Sequence, residues 1–413
     1  HGSVRLPRSA GGKGRREADE ANKPAEVEAI EAFLFSQAEF RHNVITHHCE
    51  IRWTEEAGFL PLTDRDVNTL WGRMNKTVGR VYLTDIYNVI HSEFVPLFNP
   101  FQSYFDHLPS WDGVSDPIGD LADTVHVKSD QAEFRDYFRK WFVGILPALL
   151  DDTVVNHEIL VLIGEQGLYK TTWFNFLLPP ELRCYFYTKT NSDRLNKDDL
   201  FSLTEFALIC FEELDGMRPA ELNQLKAMVT MPYVNERAAY GRNKERHPHI
   251  ASFCGTGNNV QFLTDPTGNR RWLPFEVSQI RDPHLHAIPY ELVYSQAYAL
   301  WKSGFCHWFS QEEIRKLNMH NSRFEVPNLE EDLIRTHFRK PFEGEAGIFV
   351  TAADILEQIS SCLRYPLSPN KIGRIMAGLE FESIRYKGKR GYIAVKKTGE
   401  DIDRERRSGA LGL

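Results

Sequence analysis

Residues 158–172 read EILVLIGEQGLYKTT. A short apolar run at 159–163 has strand composition. It breaks into a glycine turn, Gly164, Glu165, Gln166, Gly167, Leu168 and Tyr169, before Lys170, Thr171 and Thr172 open an amphipathic helix over 172–178. Such a strand, turn and helix form a phosphate-binding loop. Backbone N–H groups of the turn and the helix start face an anion, the lysine reaches the β- and γ-phosphates, and a threonine hydroxyl binds Mg²⁺. ATP and Mg²⁺ are therefore the expected ligands, with Thr171 on the metal side. A strand-turn-helix carrying a lysine is also common in α/β proteins generally, so the loop does not decide the matter alone. The standard spacing has glycine where this chain has Tyr169. Tyrosine takes a positive φ only with steric strain, so the loop is expected to adopt a shape without that requirement.

ATP hydrolysis needs more than a cradle. It needs carboxylates for Mg²⁺ and the attacking water, a polar group at the γ-phosphate and a cation for transition-state charge. The apolar run 206–211 ends in Glu212 and Glu213. At the carboxyl end of a parallel strand such acids stand beside the phosphate loop. Glu212 is expected to hold Mg²⁺ and Glu213 to polarise water, or the reverse. Two exposed acids opening a loop are the plain alternative. The next apolar run, 249–255, closes in an amide pair. Asn258 is the candidate for orienting the water and Asn259 the alternative, against an ordinary Asn/Gly turn. Arg270 and Arg271 follow a Gly-Asn turn and precede a strand. They are candidates for neutralising γ-phosphate charge, as an arginine finger if supplied by a neighbouring subunit, or else for a structural salt bridge. Between the acidic and amide strands, 232–249 reads as a hairpin whose basic turn carries Arg242, Lys244 and Arg246. It suits contacts to a DNA backbone, with a solvated tip as the competitor.

The chain has 413 residues, 42% of them hydrophobic, with a formal net charge of -8. Two or three domains are expected, and nucleic-acid binding must come from local patches rather than bulk charge. The six cysteines form no CxxC pair, as in a reduced compartment. No apolar run approaches the roughly 18 residues of a membrane span, so the expected location is cytoplasmic. Residues 1–25 read as disordered, His1, Gly2 and Ser3 resemble an expression remnant, and the chain is expected to be part of something longer. Residues 26–150 read as mainly helical, with helices at 26–40, 64–74, 83–93 and 134–150 and a strand at 44–53. His47, His48, Cys49 and Glu50 include metal-capable side chains, but neighbours on a strand point to opposite faces, favouring a structural role. From 151 to 283, strands at 159–163, 206–211, 250–255 and 271–277 alternate with helices near 172–178, 196–203 and 219–230, the pattern of a mostly parallel sheet. Residues 284–344 read as a helical lid or linker. Residues 345–397 combine a short strand, two helices and a hairpin with its turn at 387–391. Nine Lys/Arg stand against four acids over 351–399, a winged-helix pattern in which Lys387, Lys389 and Arg390 could meet DNA or simply face solvent. Residues 398–413 read as a disordered tail.

Taken in order, these pieces resemble the virulence-associated protein E family of phage and mobile-element proteins. The resemblance is carried by YFDHLPSWDG at 104–113, VLIGEQG at 161–167 with Lys170 and Thr171, ELDGM at 213–217, Leu225 and Lys226, YGR at 240–242, GTGN at 255–258 and LTDPTGNRR at 263–271. It covers about 30–280, and the C-terminal domain fits more loosely. It implies an AAA+ core similar to superfamily 3 helicases and a homo-oligomeric ring, most simply a hexamer, translocating on single-stranded DNA. The active site would be shared between subunits and the 232–249 hairpin would lie in the channel. Members often carry a primase domain N-terminal to this region, and nothing in residues 1–150 looks like a primase metal site. The expectation is thus an ATP-dependent helicase or translocase in phage or mobile-element replication. The alternative is a non-motor, nucleotide-gated initiator or defence switch that binds duplex through its C-terminal domain. A small-molecule kinase leaves Asn258, the hairpin and the basic domain without a role.

Overall fold

The computed structural model describes residues 25–190, 197–236, 245–264, 269–360 and 369–407. It is a mixed α/β protein with several sheets, divided into compact units at Phe324/Glu325.

The first unit opens with α1 (Val27–Gln37), β1 (Ala38–Asn43), β2 (His48–Trp53), β3 (Leu60–Pro61), α2 (Asp64–Thr77), α3 (Leu83–Ile90) and β4 (Leu97–Phe98). The sequence suggested a mainly helical region, yet four strands form a sheet in the order β3-β2-β1-β4. The helix expected through residue 40 stops at Gln37, and the single strand expected at 44–53 is one arm of a hairpin. Asn43 makes the turn, its Oδ1 accepting from the N–H groups of Ile45 (3.0 Å) and Thr46 (3.2 Å). Ile30, Leu34, Ile51, Leu70, Met74 and Ile86 form the core of this lobe.

Next come α4 (Pro100–Asp106), α5 (Pro117–Ala122), β5 (Val125–Val127), α6 (Gln131–Leu150), β6 (Ile159–Ile163), α7 (Lys170–Phe176), β7 (Phe186–Lys189), α8 (Lys197–Glu205), β8 (Leu208–Phe211), α9 (Pro219–Val229), β9 (Tyr233–Glu236), β10 (Glu245–Pro248), β11 (Ser252–Gly257), β12 (Trp272–Ile280), α10 (Tyr290–Lys302) and α11 (Gln311–Asn321). The main sheet runs β5-β12-β6-β11-β8-β7. All its strands are parallel except the antiparallel edge β5. All five residues of β6 are buried, because helices cover both faces and alternation sends neighbours to opposite cores. Leu160 and Leu162 join Trp141, Phe142, Trp173 and Tyr294 on one face, while Ile159, Val161 and Ile163 join Leu222, Leu225 and Val229 on the other. Trp141 also donates its indole N–H to the Phe253 carbonyl (2.9 Å), fixing α6 on the sheet. Tyr294 of α10 donates to the Leu177 carbonyl (2.9 Å), so the segment read as a lid packs into this core through Leu317 and belongs to the first unit as far as Phe324.

The second unit contains α12 (Leu329–His337), β13 (Phe338–Arg339), β14 (Ile348–Val350), α13 (Ala352–Ser360), α14 (Pro369–Gly378), β15 (Ser383–Tyr386), β16 (Lys389–Lys396) and α15 (Gly399–Arg407). β16 pairs with β13, β14 and β15. The hairpin turn is two residues, Lys387 (φ 48°) and Gly388 (φ 78°), and not the five expected, so Lys389 and Arg390 sit on β16. Positive φ at both turn residues matches the right-handed twist of the strands. Residues 399–407, read as tail, are helical. Thr398 and Asp401 exchange hydrogen bonds as an N-terminal cap: Asp401 N–H to Thr398 Oγ1 (3.3 Å) and Thr398 N–H to Asp401 Oδ2 (3.0 Å). Among the described residues no helix is long and apolar enough to cross a membrane.

Ahead of β11, His249 is buried with its Nδ1 2.6 Å from the Met231 carbonyl, and its Nε2 has no partner. Burial pushes its pKa down to about 4. The unfolded chain takes up this proton near pH 6.5 and the folded chain only near 4. Stability is therefore expected to fall by about 3 kcal/mol between those values as pH drops. Urea titrations of wild type and His249→Gln at pH 7 and pH 5 check this. An equal pH loss in both would show that another group carries it.

Candidate functional site

The β6–α7 connection curls around its own lysine. Lys170 Nζ donates to the carbonyls of Gly164 (2.7 Å) and Glu165 (2.7 Å) and lies 3.5 Å from Asn258 Oδ1. The side chain is 8% exposed, and burial draws its pKa down while the charge of Asp215 opposes the shift. A buried ammonium must be satisfied by hydrogen bonds, and the carbonyls of this turn do so. The curl brings Gly164 so close to β12 that a Cβ there would stand 2.9 Å from the Val277 carbonyl oxygen. Contrary to expectation, Tyr169 does take the left-handed conformation (φ 59°, ψ 18°), immediately before α7. Tyr169 is 42% exposed, so the requirement lies in the backbone rather than in the side chain's packing.

Two neighbouring strand ends complete a cavity of about 370 Å³. It is lined by residues 166–172, Glu212, Glu213, Thr256, Gly257 and Asn258. Parallel register puts these ends level: Phe211 pairs with Gly255, and Ile163 with Gly257. Thr171 Oγ1 donates to Glu212 Oε1 (2.7 Å). Glu213 is also left-handed (φ 55°, ψ 43°), which turns the chain into a short 3₁₀ segment, Leu214–Gly216. Of the two amides, Asn258 lines the cavity and meets Lys170, whereas Asn259 Oδ1 accepts from the Gln261 N–H (3.3 Å). Asp215 was missed by the sequence reading. Its Oδ1 accepts from the Asn258 N–H (3.1 Å) and its Oδ2 from the Asn259 N–H (3.1 Å). Its sequence signal, Asp before Gly, is that of any turn.

Arg270 and Arg271 stand elsewhere. Trp272 pairs with Ile159 at the start of β6, so both arginines flank the amino edge of the sheet. There they depress the pKa of His157, after burial, and Glu158 offsets part of the burial effect on Arg271. The length of β6, roughly 15 Å at strand rise, separates them from the cavity at the carboxyl edge. Among the described residues, β9 and β10 form the expected hairpin, with the Arg246 guanidinium 3.8 Å over the Tyr233 ring. Arg242 and Lys244 lie outside the described residues. In the second unit Lys387, Lys389 and Arg390 are exposed, and Arg390 Nε donates to Ser383 Oγ (3.1 Å).

A family model for the virulence-associated protein E-like domain matches residues 106–326, more than half of the chain. The chain belongs to this family. The match spans the main sheet, the 164–171 turn and every cavity residue. No curated protein matches the sequence. Among solved structures, the apo C-terminal region (305–718) of NrS-1 is 11% identical with a TM-score of 0.47, over 90% of this chain and 99% of that one. A structure titled SCCmec type IV Cch, active helicase, is 12% identical with a TM-score of 0.39, over 91% and 95%.

Left-handed backbone costs an L-residue roughly 1–2 kcal/mol, part of which glycine loses again through its freer unfolded chain. Tyr169→Gly is accordingly expected to raise stability by about 0.5–1 kcal/mol in denaturant titrations. A fall instead would show that contacts of the ring hold the turn.

Proposed function

We propose that this protein is an ATP-dependent DNA helicase or translocase of the superfamily 3-like type, serving phage or mobile-element replication. Residues 164–171 form its phosphate loop, within an AAA+ core, and the second unit serves as a winged-helix-like domain. The observation that carries the reading is the convergence of Lys170, the Thr171–Glu212 pair and Asn258 on one cavity. A buried lysine held by two loop carbonyls and, more distantly, by Asn258 has a ready exchange: it leaves Gly164 and Glu165 for β- and γ-phosphate oxygens, while the loop N–H groups meet the remaining charge.

Thr171 and Glu212 fit Mg²⁺. They are hard oxygen donors 2.7 Å apart, and in such sites one carboxylate and one hydroxyl suffice because phosphates and water complete the shell. Among the described residues no group of three or more His, Cys, Asp or Glu side chains is placed to hold a metal ion. When bound, the ion neutralises phosphate charge. Glu213 then polarises the attacking water and Asn258 orients it. Arg270 and Arg271, at the far edge of the sheet, serve the γ-phosphate of a neighbouring copy in a hexameric ring. Arg246, with Arg242 and Lys244, grips single-stranded DNA through its phosphates, and Lys387, Lys389 and Arg390 contact duplex. A primase domain or partner would supply primers to such a motor.

The test is ATP hydrolysis with and without single-stranded DNA for wild type, Lys170→Ala, Arg271→Ala and an equimolar mixture of the two variants. DNA-stimulated turnover is expected in wild type, with a loss of at least about 10³-fold in each variant. The mixture should recover activity, because intact Lys170 and intact Arg271 then meet across an interface. Loss in Lys170→Ala alone would remove Arg271 from the site and the shared-site ring with it. Bound ATP without any turnover would replace the motor by a nucleotide-gated switch.

A further inference from the structure

Asp215 lines no part of the cavity, yet it ties together two strand ends that do. Both its carboxylate oxygens are used at 3.1 Å, one on the Asn258 N–H and one on the Asn259 N–H. The bond is charge-assisted on the acceptor side and bidentate, so it fixes direction as well as distance. The surrounding backbone is shaped to admit it. A Cβ on Gly257 would stand 2.9 Å from Asp215 Oδ1, and one on Gly255 would stand 2.2 Å from Leu214 Cδ1, where Leu214 is buried. Two residues back, the left-handed Glu213 is what turns Asp215 toward β11.

Four links thus close a circuit: Glu212 to Thr171, Thr171 to its neighbour Lys170, Lys170 to Asn258, and Asn258 through Asp215 back to the acidic strand. Resting on the ATPase reading above, we propose that Asp215 is a positioning residue for hydrolysis. It holds the Asn258 turn in register with the Glu212–Glu213 carboxylates, so that amide and acid address the same water. Nucleotide binding is left to the loop and Lys170. A displacement of about 1 Å in such a group costs up to about 10²-fold in rate, so the effect falls on turnover and not on affinity.

Asp215→Ala and Asp215→Asn decide this, beside wild type. Three quantities are measured: the affinity and stoichiometry of a fluorescent ATP analogue, kcat per bound nucleotide, and amide hydrogen exchange at Asn258 and Asn259. Asp215→Ala is expected to bind nucleotide within about 3-fold of wild type, to lose about 10–100-fold in kcat, and to exchange both amides faster. Asp215→Asn keeps one acceptor oxygen and should fall between. Normalising to bound nucleotide removes any contribution from unfolded protein, and the asparagine variant decides alone if the alanine variant does not fold. Wild-type kcat per site in both variants would overturn the proposal while leaving the ATPase reading intact. A wild type that neither binds nor hydrolyses ATP would overturn the ATPase reading itself, and the positioning role with it.

Discussion

The site depends on where the charge of Lys170 is kept. An ammonium 8% exposed cannot stay there unsatisfied, and the nearest acceptors are the carbonyls of its own turn, Gly164 and Glu165. Pulling two consecutive carbonyls inward closes the turn tightly. That closure explains the close approach of Gly164 to Val277 and the left-handed step at Tyr169 where the chain re-enters a helix. The ammonium that shapes the loop is the same group proposed to meet phosphate charge.

The sheet then decides what the loop can face. With β6 flanked by β11 and β12, and β8 one strand further, the carboxyl ends of three parallel strands open on one edge. Glu212, Asn258 and Lys170 come together because each follows the last buried residue of its strand or the turn after it, and parallel register keeps those ends level. Two non-glycine residues in left-handed backbone, Tyr169 and Glu213, line the same cavity. Strain of this kind persists only where its surroundings over-determine it. Here the buried β6 and β8 on one side and the Asp215 clamp on the other do so.

Four strands of the main sheet, β6, β8, β11 and β12, were legible to within a few residues because burial on both faces leaves continuous apolar runs, as in 159–163. The edge strands β5 and β7 were not, being short and mostly half-buried or exposed. The N-terminal sheet was not, since AEFRHN of β1 alternates buried and exposed positions with charged residues that pair across the hairpin, Arg41 with Glu50. Its turn rests on one asparagine that composition cannot single out. The tail helix was hidden for a related reason: it buries little, and its start depends on a local cap between Thr398 and Asp401. Among site residues, Lys170, Glu212 and Asn258 announce themselves by residue type at strand ends. Asp215 acts through backbone N–H groups of another strand, which no spacing records. Tyr169 takes its left-handed step where residue type predicts none, because the buried Lys170 beside it offsets the strain.

The two edges of the sheet divide the proposed chemistry in a way that bears on assembly. Lysine, acids and amide occupy the carboxyl edge, while Arg270 and Arg271 occupy the amino edge beside His157 and Glu158. A single copy cannot bring both to one phosphate, because β6 is short but rigid and buried along its whole length. If the arginines serve catalysis at all, the contact joining the edges is head-to-tail and not self-complementary. A head-to-tail contact between identical chains either closes into a ring or runs on as a filament. Closure would give every cavity its arginines and leave no unfilled end. A symmetric dimer formed on either edge would leave both of its cavities incomplete.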